Sequence, residues 1–431
     1  MNAGRQYADS TVKKNPSRAA RSHVLAGATG LGLLAATAAL PYVHFTTAGG
    51  GGDVALYDKY ATELLDGKLP YHDFFFEYPP FSLVALVLPK ATGLDYAISL
   101  RLLMWVLLAV SLLAVLHTLR TLNADPVRLF GAAVLIGCSP ALVGPVLFER
   151  FDAWPVALLS VSLALLAAQR WTSGSILLSL AICTKLYPVV VAPAALIRAW
   201  TAAGTRVAGR AAAAGIAAAV VVTLPFAAVG IGGLGFSYYE QFKRPLQLES
   251  LGASILLALD RIGLVDTTVH TGLSKDLAGS AAGATAVLLS LLQVSAVAAS
   301  VWWFWHGPRS TDAMLTASAA AVASFVAFGK VLSPQYVIWL LPLAPLVARR
   351  VWPAAMALTA GACALTVLYF PWHYAGIRRA NDWVWVLLAR NATLVALSLL
   401  LLAHLRLESR QRRVQSEKPP NTSRRMPLRS S

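Results

Sequence analysis

The sequence predicts an all-α polytopic membrane protein, and three observations carry that prediction. Charged residues make up 13% of the 431 positions and hydrophobic residues 57%, against roughly 25% and 45–50% in soluble domains. Mean hydropathy is +0.62. Apolar runs long enough to cross a bilayer, about 20 residues each, recur along the whole chain between short polar connections. A chain of this length and composition holds about twelve such spans as one integrated bundle, with no separate soluble domain. The net charge of +16 does not point to nucleic acid. Lys and Arg gather at the two ends and in short connections, the bias of cytoplasmic segments in membrane proteins. Cys138, Cys183 and Cys363 stand in or beside apolar runs without CxxC spacing, so neither a disulfide framework nor a thiolate metal site is expected.

Taken in order, residues 1–23 form a basic tail expected on the cytoplasmic side. The apolar run from His23 to Phe45 is longer than a signal-peptide core and is read as an uncleaved first span. It delivers a long first external loop, residues 47–94. Within that loop Asp53 occupies an N-cap position, and a helical pattern continues to about Leu65 before Gly67 and Pro70 stop it. Val84 to Ala91 is too short to cross and should lie in the membrane interface. Asp95–Leu119 is the second span, Leu129–Phe148 crosses outward, and Trp154–Ala168 returns.

Between Ser173 and Trp200, basic residues at both flanks put both ends inside. Two short helices meeting at Lys185-Leu186-Tyr187-Pro188 satisfy that, because proline opposes a continuous helix. Ala208–Gly230 then leads to a second external loop, residues 231–278, holding a short apolar helix near Ser254–Leu264. Ala281–Trp305, Ala313–Phe328, an inward span opened by the corner Gly329–Tyr336, Val351–Phe370 and Trp383–Leu405 complete the bundle. A second basic tail, 406–431, follows. The transmembrane domain is therefore 24–405, set in the plasma membrane, with both termini cytoplasmic and the polar corners outside.

Those corners carry the candidate chemistry. Asp53 follows four glycines and precedes Tyr57 by one helical turn. An N-cap carboxylate is a common structural device, yet it keeps a lone pair free to take a proton from a bound hydroxyl. Glu77-Tyr78-Pro79-Pro80 ends the first loop as a rigid turn, and eight aromatics from Tyr57 to Phe81 read either as interfacial anchors or as a platform for a sugar. Arg150 and Asp152 bracket a span end. Lys185 and Lys330 each lie close to an apolar run and to a proline, where an ammonium needs a polar cavity or an anionic partner. For Lys185 that partner is either a ligand phosphate or the Asp152 or Glu149 carboxylate. His72, His270, His306 and His373 have no metal-type spacing, and HExxH, Walker and GxSxG motifs are absent. No cofactor is called for; a single divalent ion held by scattered carboxylates stays open.

Asp53 with Tyr57, Gly67 with Pro70-Tyr71, Glu77-Tyr78-Pro79-Pro80, Lys185-Leu186-Tyr187-Pro188 and Ser333-Pro334-Gln335-Tyr336 together resemble family 87 of the GT-C membrane glycosyltransferases, over roughly residues 25–405. That family includes actinobacterial mannosyltransferases that use polyprenyl-phosphate-mannose. The resemblance implies a GT-C fold with an external active site, a polyprenyl-phosphate sugar donor, a glycolipid or glycan acceptor and inversion at the anomeric carbon. It makes Asp53 the general base. Lys185, Arg150 and Lys330 are then donor-phosphate ligands, and Tyr57, Glu77, Tyr78, Asp152, Gln335 and Tyr336 line the substrate site. Arabinofuranosyl or glucosyl transfer by the same mechanism is the alternative within that class. A lipid or sugar transporter is the alternative outside it, and would be expected to show internal repeats, of which the sequence has none.

Overall fold

The computed structural model describes residues 16–40, 52–271, 274–377, 379 and 381–417. Residues 1–15 and 418–431 of the two basic tails, the end of the predicted first span and residues 47–51 of the first loop lie outside these residues. Twelve main helices organise the rest: α1 Pro16–Thr37, α2 Gly52–Leu65, α3 Tyr96–Thr121, α4 Pro126–Gly137, α5 Ala153–Ala167, α6 Trp171–Ile182, α7 Ala192–Lys243, α8 Leu251–Arg261, α9 Ala282–His306, α10 Thr311–Ala327, α11 Trp352–Tyr369 and α12 Trp383–Glu417. Several start on side chains that satisfy the free first-turn amides. Asp95 accepts from Ile98 N (3.0 Å) at the head of α3, Ser250 from Ala253 N (3.2 Å) at α8 and Ser310 from Ala313 N (3.1 Å) at α10. A two-stranded hairpin, β1 Thr268–Thr271 with β2 Lys275–Ala278, pairs antiparallel beyond α8.

Helices α1, α3, α4 and α5 pack together at one side, α6 runs on to α7, and α9 to α12 pack at the other. Among the described residues, five stretches are long and apolar enough to cross a membrane: Tyr96–Thr121, Tyr187–Lys243, Ala282–His306, Trp352–Tyr369 and Trp383–Gln415. Five more apolar helical stretches are shorter, among them α4, α5, α6 and α10. The predicted run of about twelve full spans is thus broken up, and proline and glycine explain where.

The expected crossing Leu129–Phe148 is divided. Helix α4 stops at Gly137, and short turns Ser139–Val143 and Val146–Glu149 follow, interrupted by Pro140, left-handed Gly144 (φ 75°) and Pro145. The expected inward span after Gly329 is not α-helical. Pro334, Pro342 and Pro345 reduce it to the 3₁₀ turns Pro334–Leu340 and Ala344–Leu346, buried at the centre of the molecule. The second external loop begins later than expected, since α7 continues through a kink at Gly230 to Lys243. Its short helix starts at Leu251 because Ser250 caps it there. The helix expected to begin with Asp53 as cap includes Gly52, which puts Asp53 in its first turn. The last helix runs twelve residues past Leu405.

The corner at Lys185 matches the sequence reading, and the second short helix expected there ends at Gly204 (φ 84°, ψ 174°), where α7 first breaks helical geometry. Helix α6 ends at Ile182, and a 3₁₀ turn, Tyr187–Val191, leads into α7. The first loop is seated on the far part of α7, where a Cβ added at Gly233 would lie 1.8 Å from the Tyr71 carbonyl oxygen and one at Gly230 would lie 2.9 Å from it. Only glycine permits that contact. Ring pairs Tyr71–Phe226 and Phe75–Phe236, both at 5.8 Å between centroids, hold the two elements together.

Candidate active site

Two chain reversals meet beneath the first loop: residues 148–153, between the broken α4 segment and α5, and residues 183–187, between α6 and α7. Helix α2 delivers Asp53 to the first reversal, where its Oδ2 lies 2.8 Å from Nε of Arg150. Arg150 is largely enclosed, whereas the Asp53 side chain stays 38% exposed. One turn further along α2, Tyr57 is buried with its ring edge-on to Phe151 (5.4 Å) and Tyr78 (6.1 Å). Burial pushes the phenols of Tyr57 and Tyr78 well above their ordinary range, so both hydroxyls remain protonated.

Arg150 and Asp152, adjacent in sequence, do not pair with one another. Asp152 is fully buried. Nζ of Lys185 donates to both of its oxygens, at 2.7 and 2.8 Å, and Nε1 of Trp339 donates to Oδ1 at 2.6 Å. Lys185 therefore has the protein partner that the sequence offered as the alternative to a ligand phosphate. Aromatic faces enclose it, with Nζ 4.9 Å from the Phe151 centroid, 5.5 Å from Trp339 and 5.8 Å from Tyr336. Trp339 is itself sandwiched, 3.9 Å from both Tyr187 and Tyr336.

Glu77 is not the solvated carboxylate of a bare turn. Nη2 of Arg244 approaches its Oε2 at 3.2 Å and Gln241 Nε2 donates to its carbonyl at 2.9 Å, so the far end of α7 grips the first loop. Lys330 lies on the same side. Its Nζ donates to the carbonyl of Phe242 (3.0 Å), its own carbonyl accepts from Gln247 N (2.9 Å), and Gln247 Nε2 donates to Ser333 Oγ (3.2 Å). Gln335 is half-buried beside Tyr336, whose ring faces Lys185 Nζ at 5.8 Å. Glu149 pairs with Arg101 of α3 at 3.0 Å, and Asp58 with Lys90.

The structure thus joins Asp53, Tyr57, Tyr78, Arg150, Asp152, Lys185 and Tyr336 through direct ion pairs and ring contacts, with Glu77 and Lys330 tied to the rim by α7 and the residues after it. Sequence reasoning gave no role to Phe151, Trp339 or Arg244. Trp339 offered one usable signal, an indole donor inside a proline-interrupted apolar run; Arg244 offered another, a cation in the second loop opposite the acidic first loop. Among the described residues, no group of three or more His, Cys, Asp or Glu side chains is arranged to hold a metal ion.

The family model for glycosyltransferase family 87 matches residues 75–334, more than half of the chain. The chain belongs to glycosyltransferase family 87. The matched stretch includes Glu77, Arg150, Asp152, Lys185 and Lys330, while Asp53 and Tyr57 lie before it and Gln335 and Tyr336 just after it. No curated protein matches the chain. Among solved structures, the crystal structure of ArnT from Cupriavidus metallidurans bound to undecaprenyl phosphate matches with a TM-score of 0.45 and 15% identity, covering 87% of this chain and 77% of that one. At that level of likeness neither structure places residues in the other.

Proposed function

We propose that this family 87 glycosyltransferase has the GT-C architecture and moves mannose, with inversion, from a polyprenyl-phosphate donor to a hydroxyl of a glycolipid or polysaccharide acceptor. The reading rests chiefly on one observation: a half-exposed carboxylate, Asp53, held by an enclosed guanidinium, Arg150, above a buried aromatic floor. In the proposed step Asp53 takes the proton of the acceptor hydroxyl as its oxygen attacks the anomeric carbon. The bond from that carbon to the phosphate oxygen breaks on the opposite face, and its electron pair leaves on the phosphate. Arg150 both orients Asp53 and offers positive charge to the leaving group. Lys330, bound here to a backbone carbonyl, is the cation freest to turn toward the phosphate. Lys185 has a third N–H beyond the two spent on Asp152. Tyr78, Glu77, Gln335 and Tyr336 would contact the sugars, Tyr57 being buried beneath them as part of the floor, and apolar grooves between helices would hold the isoprenoid.

The site end is assigned to the outer face of the plasma membrane. Arg128, Arg198, Arg309, Arg349 and Arg412 are all at the opposite end of the helices, as expected for a cytoplasmic side.

Transfer by purified protein from radiolabelled polyprenyl-phosphate-mannose to extracted envelope lipids tests the proposal. Asp53→Asn should lower the rate about 100- to 10,000-fold while donor binding persists. Wild-type transfer by that variant would remove Asp53 as the base. Transfer from arabinofuranose or glucose donors but not from mannose would correct the sugar, and deletion of the gene should strip one sugar from one envelope glycolipid.

A further inference from the structure

At the end of the molecule opposite Asp53, a cavity of about 610 Å³ opens between the first part of α7, the link from α9 to α10, and α12. Three guanidiniums line it, those of Arg198, Arg309 and Arg412. Among the described residues none of the three has a carboxylate within ion-pair distance. Their donors reach only neutral acceptors: Arg198 the Thr311 hydroxyl (3.3 and 3.4 Å), Arg309 the Trp305 carbonyl (2.6 Å), and Arg412 the Gly307 carbonyl. Burial chiefly, and then the nearby charge of Arg412, pull the Arg309 pKa down. Three positive charges round one cavity repel each other unless an anion joins them.

An apolar groove of about 690 Å³ continues from the same place. It is formed by Ile197 and Pro193 of α7, by α9 from Gln293 to Trp305, and by Phe325 of α10. The stacked pair Trp200–Trp305, 5.3 Å apart with rings 5° from parallel, joins the two, Trp200 lining the basic cavity and Trp305 the groove. From Trp305 to Gln293 the α9 wall is about 18 Å long at 1.5 Å per residue. That is close to the depth of one leaflet of a hydrocarbon core about 30 Å thick. Paired tryptophans at the join are what a bilayer interface selects.

We propose that this basic cavity and groove bind an anionic glycerophospholipid of the leaflet at the basic end, its phosphate among Arg198, Arg309 and Arg412 and an acyl chain along α9. The charge fits the headgroup and the length fits a chain of that leaflet. A polyprenyl-phosphate donor, by contrast, would present its phosphate at the Asp53 end. The site does not depend on which sugar the enzyme transfers, or on whether it transfers one.

The test is lipid retention by purified protein in native mass spectrometry, comparing phosphatidylglycerol with phosphatidylcholine of the same acyl chains. Wild-type protein should retain phosphatidylglycerol selectively. Each lost guanidinium should cost about fivefold in affinity, so Arg309→Gln with Arg412→Gln should weaken retention about 25-fold. Ala298→Trp, which fills the groove from an exposed position and leaves every arginine in place, should also displace the lipid; it keeps the test valid if the double variant is unstable. Equal retention of both lipids, or wild-type retention by the groove variant, would overturn the proposal. Displacement by millimolar inorganic phosphate would make it a free-anion site instead. Preferential displacement by undecaprenyl phosphate would give the groove to the donor lipid, and either result refutes the assignment.

Discussion

Asp152 and Glu249 are both buried carboxylates facing a cation from another segment, yet the protein satisfies them differently. Asp152 receives Lys185 on both oxygens and the Trp339 indole on one. Glu249 accepts from the Tyr369 hydroxyl, while Arg390 lies 3.5 Å from its Oε2 and spends a shorter 3.1 Å bond on its backbone carbonyl. Nε and Nη1 of Arg390 find no hydrogen-bond partner among the described residues. Burial pushes the Glu249 carboxyl up to about 7, and Arg390 and Tyr369 pull only part of that back. A buried charge is tolerated when its partners are complete. The first pair is a strut that fixes the two chain reversals under the candidate active site; the second is a group that titrates near neutral pH.

The largest test of that contrast is to remove one side of the strut. Lys185→Met leaves Asp152 buried and unpaired and should cost about 3–5 kcal/mol, read as a marked fall in melting temperature in detergent. Adding Asp152→Asn should restore part of the loss by removing the orphan charge. A single variant that melts like wild type would mean the pair is not a strut.

The second test uses pH. The folded-state pKa of Glu249 lies above its ordinary 4.5, so between those values the folded protein holds a proton that the unfolded chain has released. Its contribution is therefore fullest below pH 4.5, declines as pH rises to about 7 and is level above that. The full change is on the order of 3 kcal/mol. Melting temperature should fall over that window in wild type, and Glu249→Gln should flatten the slope. Identical slopes in the two proteins would assign the titration elsewhere.

The smallest expected effect comes from Trp339→Phe, which keeps an aromatic ring between Tyr187 and Tyr336 but removes one donor to Asp152. Because Lys185 still covers both oxygens, the loss should be about 1.5–3 kcal/mol, the ordinary worth of a bond to a charged acceptor. Chemical denaturation alongside Lys185→Met would order the two; a larger loss for Trp339→Phe would make the indole the main support.

Much of this was legible in the sequence because bilayer solubility and proline leave strong marks. The apolar runs located α3, α9 and α11 within a few residues and the start of α12, and Pro188 located the Lys185 corner. Interrupted segments were harder. In 126–149 and 334–347 the apolar composition of a span persists, but prolines and Gly144 prevent the helix, and hydropathy does not register that. Within the candidate site, residue types were readable and pairings were not. Arg150 and Asp152 look like partners at i and i+2, yet the turn sends one to Asp53 and the other to Lys185. Only the packing of α2 over the reversal decides that, and it is set by contacts distant in sequence.

The seating of Tyr71 against Gly230 and Gly233 has a mechanical consequence. The backbone meshes there like a tooth in a notch, with no side chain between to slip or compress. Gly230 is also, after Gly204, the second place where α7 leaves helical geometry. Any swing of residues 231–243 about that kink is geared directly to the first loop, and through Arg244 and Gln241 to Glu77. In such a swing Tyr71, Glu77, Gln241 and Arg244 would move together, because each is in direct contact across the two elements.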